Sequence, residues 1–343
     1  MHDQYAKLDQ RRGSGRAVRR CLPRLRRGPA GRCRVALRRN AAARPAGVHR
    51  LHAGAGEQVP ARRAASLAAN RQAIALARDD DEDNEGAVWD AAIAATALGE
   101  WAQARALWTQ YGIKLPEGDG ADSPIEGRFG LCCVRLNPWG EGETVYAQRI
   151  DPARAVLLNV PLPESGHRWG DIVLNDGART GEREHGDGTV PVLNALQLLR
   201  RSEFETFAVF VGAETEADLE ALREIKLPGL GNLEDWTDSV RHLCLRCSYG
   251  TPHQAHAEHA AAGAGDDDDA WDPERNLGIA AQSRRSVEKL LALWTEGGSG
   301  RWVEAIEQRE VEPGAPADGQ VWWSSPDEDG DDRDDDQEGR EDA

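Results

Sequence analysis

FETFAVFVGA (204–213), followed at once by TEADLEALREI (215–225), decides how the C-terminal half of this chain is read. The first stretch is a continuous apolar run rich in Phe and Val, the signature of a buried strand. The second places Thr215 ahead of apolar residues at helical spacing, with Asp218 three positions on, and so reads as a capped helix. Downstream, SVRHLCLRC (239–247) reads as a strand and RNLGIAAQS (275–283) as another. SRRSVEKLLALW (283–294) reads as a helix capped by Ser283 or Ser286, and RWVEAIEQ (301–308) as a last strand.

The resulting order over 203–310 is β-α-β-β-α-β, the split pattern of ferredoxin-like domains. In that topology the first and third strands are central neighbours. Residues 205–212 should therefore pair with 276–281, with both helices on one face. Working outward, RFGLCCVRL (128–136), ETVYAQRI (143–150), ARAVLLNVPL (153–162), GDIVLNDG (170–177) and TVPVLNALQLL (189–199) are short β-rich runs. Asn137-Pro138, Gly140 and Asp151-Pro152 punctuate them, and a polar Gly-rich hairpin precedes the last. Such spacing predicts a small antiparallel β-barrel or curled sheet over 128–200. GIKLPEGDGADSPIEG (112–127) is a linker in front of it.

Three helices are expected upstream, at 61–78, 86–98 and 100–111. Ala92, Gly99, Trp101, Ala104 and Trp108 carry a pattern that resembles a tetratricopeptide repeat, with Trp89 a looser match. In that family small residues let two helices approach closely, a Gly closes the turn, and aromatics fill the gap to the next repeat. The resemblance covers about 61–111 and amounts to one repeat with half of another before it. It implies a helical surface for protein partners, with Trp89, Trp101 and Trp108 as contact residues. A plain helical hairpin capping the next domain is the alternative. The fold class expected for the whole chain is thus α+β: TPR-like helices over 61–112, a barrel, then the ferredoxin-like domain.

The net charge of −17 over 343 residues conceals an asymmetry. Within residues 1–78, Lys7 and 18 Arg against Asp3, Asp9 and Glu57 give +16, which leaves −33 for the remainder. Residues 1–60 form a basic arm dominated by Arg, Ala, Gly and Pro without helical or strand period. Three readings stand: an out-of-frame translation of a GC-rich gene, a disordered linker, or a functional arm for nucleic acid or another anionic surface. Residues 311–343 read as a disordered acidic tail, and 259–270 as a further polar stretch without a core face. No run approaches the roughly 20 apolar residues of a membrane helix, and no apolar segment suggests secretion. Cys21, Cys33, Cys132, Cys133, Cys244 and Cys247 form no disulfide framework. A reducing cytoplasmic setting is expected.

Cys244, Cys247, His253 and His256 are spaced C-x2-C-x5-H-x2-H, with Gly250 and Pro252 between the pairs. Two thiolates and two imidazoles suit a tetrahedral zinc ion, and a complete set of four favours a closed structural site over a hydrolytic one. His242 and His259 are spare donors. Buried structural cysteines before a solvated His-rich loop are the alternative. A redox C-x-x-C is a third, disfavoured because Gly250 and Pro252 oppose the following helix it needs. Glu164, His167, Asp171, Asp176 and His185 form a second polar set in the barrel segment. Carboxylates near His suit acid–base or metal-assisted hydrolysis, yet their spacing matches no motif, and Glu164-Ser165-Gly166 and Asn175-Asp176-Gly177 are also ordinary turns. Trp139 and Trp169, near turns, suit barrel plugging or partner contact. Neither a P-loop nor a dinucleotide fingerprint is present. The expected function is a non-enzymatic protein-interaction or scaffold protein with structural zinc. A metal-dependent hydrolase and a nucleic-acid-binding protein are the alternatives.

Overall fold

The computed structural model describes residues 58–76, 84–118, 120–139, 142–240 and 271–314. It is a mixed α+β structure: three helices, a barrel-like sheet, and a second sheet with its own helices. Residues 1–57 of the basic arm and the Cys244–His256 run lie outside the described residues, as do 259–270 and 326–343.

The barrel contains β1 (Leu131–Leu136), β2 (Glu143–Arg149), β3 (Arg154–Leu157), β4 (Ile172–Asn175), β5 (Gly181–His185) and β6 (Gly188–Arg200). Strands β1 to β4 pair antiparallel in sequence, and β4 pairs with the second half of β6. The thirteen-residue β6 is long enough to do two jobs. Its first half pairs in parallel with β1, Cys133 opposite Val192 and Arg135 opposite Asn194, which closes a five-strand ring. This parallel closure departs from the all-antiparallel barrel expected. Strand β5 hangs outside the ring as the hairpin partner of β6.

Inside the ring, Cys132, Val134, Leu136, Val145, Ala147, Ala155, Leu157, Val173, Leu193 and Ala195 form one core. Alternate residues of each strand supply it, as the two-residue side-chain period requires. Cys133 therefore faces the other way from Cys132, and both are buried free thiols. Burial pushes Cys132 up to about 12 and Cys133 up to about 11, so neither is a poised thiolate.

Helices α1 (Gln58–Leu76), α2 (Asn84–Leu98) and α3 (Trp101–Gln110) close over one side of the barrel. Leu67, Val88, Ala91, Ile93, Leu107 and Trp108 share a core with Ile125, Ala153, Leu174 and Leu196. Ala-rich α2 is buried around most of its circumference, since Ala91, Ala92, Ala94 and Ala95 are all sealed. A helix apolar all round is a central one, here lying between α1 and α3.

The second sheet comprises β7 (Glu205–Ala213), β8 (Leu230–Asp235), β9 (Glu274–Ala281) and β10 (Arg301–Gln308), in the order β10-β7-β9-β8 and antiparallel throughout. Residues 205–212 do pair with 274–281. Helices α4 (Glu216–Glu224) and α6 (Arg284–Glu296) lie on one face, where Leu219, Leu222, Val287, Leu290 and Trp294 meet Phe207, Val209, Leu277 and Ile279. Thr215 caps α4 with a reciprocal Asp218 contact, and Ser283 caps α6. Of the expected strand at 239–247, residues 241–247 lie outside the described residues. Among the described residues the strand beside β9 is Leu230–Asp235, which was not expected, and Ser239 ends a short helix, α5 (Trp236–Ser239). LGNLED is a half-exposed edge strand with little apolar signal, so the stronger run downstream drew the assignment.

The sheet's other face meets the barrel. Phe204, Ala208, Trp236 and Ala280 pack with Val160, and the Trp236 indole donates to Val160 O at 2.9 Å.

Candidate functional site

The seam between barrel and second sheet is built around NVPLPESGHRWGD (159–171). Pro163 starts a 3₁₀ turn and Gly166, at φ +71°, ends it. The left-handed conformation suits Gly, and the missing Cβ also makes room for another segment. A Cβ on Gly166 would lie 2.4 Å from Pro313 N. The Ser165 hydroxyl donates to Leu162 O at 2.9 Å and accepts from His167 N at 3.2 Å.

Asp171 is fully buried. Its carboxylate accepts from Arg168 N at 2.9 Å and from Ser202 N at 2.7 Å, which ties the 167–170 turn to the β6–β7 link. His167 is also buried, with Nδ1 3.6 Å from Asp171 Oδ2, too long for a hydrogen bond. His167 Nδ1 and the buried Thr206 hydroxyl have no hydrogen-bond partner among the described residues. Both residues line a shallow solvent-open cleft, together with Arg168, Arg201, Arg309 and Glu205, whose enclosed space is only about 20 Å³. That is room for about one water, so a side chain or small anion would rest at the mouth and not in an enclosed pocket.

The cleft's outer wall is the segment after β10. Arg309 Nη1 meets Glu164 at 3.0 Å, Glu310 meets Arg168 at 3.7 Å, and Glu312 meets Arg201 at 3.1 Å. Arg201 also donates to Gly166 O at 3.0 Å. Arg309 is raised above its usual value, first by the hydrogen bond to Glu307 and then by the charges of Glu307 and Glu164. Residues 311–314 therefore lie on the barrel, which corrects the acidic-tail boundary at 311.

The five-residue polar set does not converge. His167 and Asp171 come together, but Asp171 is committed to backbone donors. Asp176 accepts from Asn194 N at 3.2 Å, Asn194 Nδ2 at 3.3 Å and Ala178 N at 3.1 Å. Desolvation nevertheless raises Asp176 to about 7. His185 stacks on Tyr146 at 5.3 Å, and Glu164 is engaged by Arg309. Glu143 sits beside the turn, accepts from Leu162 N at 3.1 Å, and is raised to about 8, chiefly by desolvation and then by the charge of Glu234. Among the described residues, no group of three or more His, Cys, Asp or Glu could hold a metal. Cys244, Cys247, His253 and His256 lie outside the described residues.

Of the three tryptophans expected to meet a partner, Trp108 is fully buried, and Trp89 and Trp101 are partly buried. The Trp108 indole donates to Thr96 Oγ1 at 3.1 Å. Trp89 stacks edge-on against Trp108 at 4.9 Å and donates to Asp176 O at 2.9 Å. Trp101 lies under the Arg154 guanidinium at 4.6 Å. Each ring joins helix to helix or helix to barrel. Trp169 stacks on Phe204 at 4.9 Å, across the seam with the second sheet.

Arg168, Arg201, Thr206 and Arg309 were not picked out from the sequence. The available signal was the charge alternation of REVE (309–312) directly after a strand, set against basic residues at the ends of β3–β4 and β6–β7 links. No protein family, curated protein or solved structure matches the chain. Among the described residues no helix is long and apolar enough to cross a membrane.

Proposed function

We propose that this chain is a non-enzymatic protein-interaction or scaffold protein whose binding face is the arginine-walled cleft at the seam. One observation carries this reading. Three arginines, Arg168, Arg201 and Arg309, line one opening, with the buried residues His167 and Thr206 in its floor. Arginine forks favour carboxylate or phosphate. On this reading the TPR-like helices buttress the barrel from behind, and the ferredoxin-like sheet supplies the cleft's second wall.

The hydrolase alternative is less well supported, because Asp171 and Asp176 already accept two or more hydrogen bonds each. Nucleic-acid binding through the basic arm rests on residues outside those described. A fluorescent poly-glutamate peptide should bind the chain with affinity that falls as salt rises, and Arg168→Ala/Arg201→Ala should weaken it at least tenfold. Binding unchanged in that variant would remove the cleft from the proposal.

We also infer a structural zinc at Cys244, Cys247, His253 and His256, on the donor set and spacing alone. These residues fall between β8 and β9, whose paired ends hold both ends of the insert. Elemental analysis should find one zinc per chain, lost in Cys247→Ser. A metal-free protein purified without chelator would reject it.

A further inference from the structure

We infer that the cleft's partner is an extended acidic protein segment carrying Glu-x-Glu, and that the chain's own residues 309–314 occupy the same arginines as a displaceable strap. The inference rests on the binding reading above and deepens it.

The strap shows which ligand fits. Glu310 and Glu312 stand one residue apart, and both side chains turn to arginines of the cleft. They reach Arg168 at 3.7 Å and Arg201 at 3.1 Å. The Glu312–Pro313 peptide just after them crosses Gly166 closely enough that a Cβ there would lie 2.5 Å from Glu312 C. A partner presenting two carboxylates at that spacing would find the same two arginines.

The strap is also weakly held. The arginine side chains are recessed, at 20% and 28% exposure, whereas Glu310 and Glu312 are 71% and 92% exposed. Ion pairs with one end so exposed contribute little, about 0–1 kcal/mol each. Val311, between them, is an exposed apolar residue and adds no anchor. Beneath the strap, His167 Nδ1 and Thr206 Oγ1 have no partner. The strap's ion pairs are confined to the outer arginines. A ligand that seats its carboxylates on both arginines with more contact than these exposed glutamates has an advantage over it. Nucleic acid is the less suitable occupant, because the group already seated is a carboxylate pair on a peptide backbone.

The probe is a labelled peptide of the chain's own sequence REVEPG (309–314), measured by anisotropy on the full chain. The competitor is tethered, with an effective concentration on the order of millimolar. Wild type should therefore bind the probe weakly. Glu310→Gln/Glu312→Gln should bind it about tenfold more tightly, because the cis competitor loses both charges. Gly166→Ala, which crowds strap and probe backbone alike, should release the strap without tightening the probe. Trypsin cleavage after Arg309 should be faster in either variant and in wild type saturated with probe. A probe with the glutamates four residues apart, or with glutamines, should bind at least tenfold more weakly.

Equal affinity in wild type and Glu310→Gln/Glu312→Gln, with binding still dependent on Arg168 and Arg201, would overturn the strap and leave the cleft standing. Loss of the arginine dependence would sink the binding reading itself. A single-stranded oligonucleotide that displaces the probe at lower concentration than the peptide does would overturn the choice of partner.

Discussion

Asp151→Ala is expected to destabilise the protein by about 3–5 kcal/mol, the usual cost of leaving a buried charge without its partner. Asp151 is fully buried at the turn between β2 and β3. Its carboxylate accepts from Ala153 N at 2.8 Å and Arg154 N at 2.5 Å, and pairs with Arg154 Nε. The guanidinium also donates to Ile125 O at 2.7 Å and covers Trp101. One carboxylate thus fixes the turn, the linker ahead of the barrel and the first residue of α3. Alanine would strand two backbone donors and a cation that is almost sealed. Asp151→Ala/Arg154→Met should lose less than Asp151→Ala alone, because removing both partners leaves no orphaned charge. Urea denaturation of the three proteins would decide it. A loss under about 1 kcal/mol in the single variant would mean that water replaces the carboxylate, against the burial argument.

Local signals in the sequence were strong where one physical rule dominates. Thr215 and Ser283 cap the helices they were expected to cap, because an N-cap needs only a hydroxyl three residues from the right amide. RWVEAIEQ is strand β10 over the expected residues. Pairing across the chain was harder to read. Nothing local shows that β6 bends to serve two partners and closes the barrel in parallel, because that depends on its length and on the register shifts opposite β4. Polar edge strands were also hard to see. Leu230–Asp235 carries no alternation, and its pairing with β9 holds it in place.

The candidate site was the least legible part. Sequence reading favoured His and carboxylate groups, the usual carriers of chemistry, and those residues mostly serve turns. Asp171 and Asp176 stitch backbone, as Asx-type groups in Gly-rich turns commonly do. The cleft is instead made by arginines from three distant segments, brought together by the seam. Its strap lies where a disordered tail was expected. Three charged residues after a strand, Arg309, Glu310 and Glu312, look solvated until the opposite charges on the barrel are placed beside them.

The tryptophans allow a test between the surface expected from the sequence and the packing found. Trp108→Ala should cost about 3–5 kcal/mol, the range for truncating a buried large aromatic. The ring is fully buried, touches Trp89 edge-on at 4.9 Å, and supplies Thr96 with a donor at 3.1 Å. The space cannot collapse easily, because the surrounding Ala91, Ala92 and Ala104 have no flexible side chains to fill it. Trp89→Ala should cost less in cavity terms, since that ring is only partly buried, but it also orphans Asp176 O at 2.9 Å. The pair should be non-additive by about 0.5–1.5 kcal/mol, the worth of an edge-to-face contact. A double-mutant cycle by chemical denaturation measures this coupling. If Trp108 served a protein partner instead, its truncation would leave the denaturation midpoint within about 0.5 kcal/mol of wild type, as for an ordinary surface change, and weaken only binding. The packed arrangement requires the reverse, with stability falling first and affinity of the folded cleft for acidic peptide unchanged.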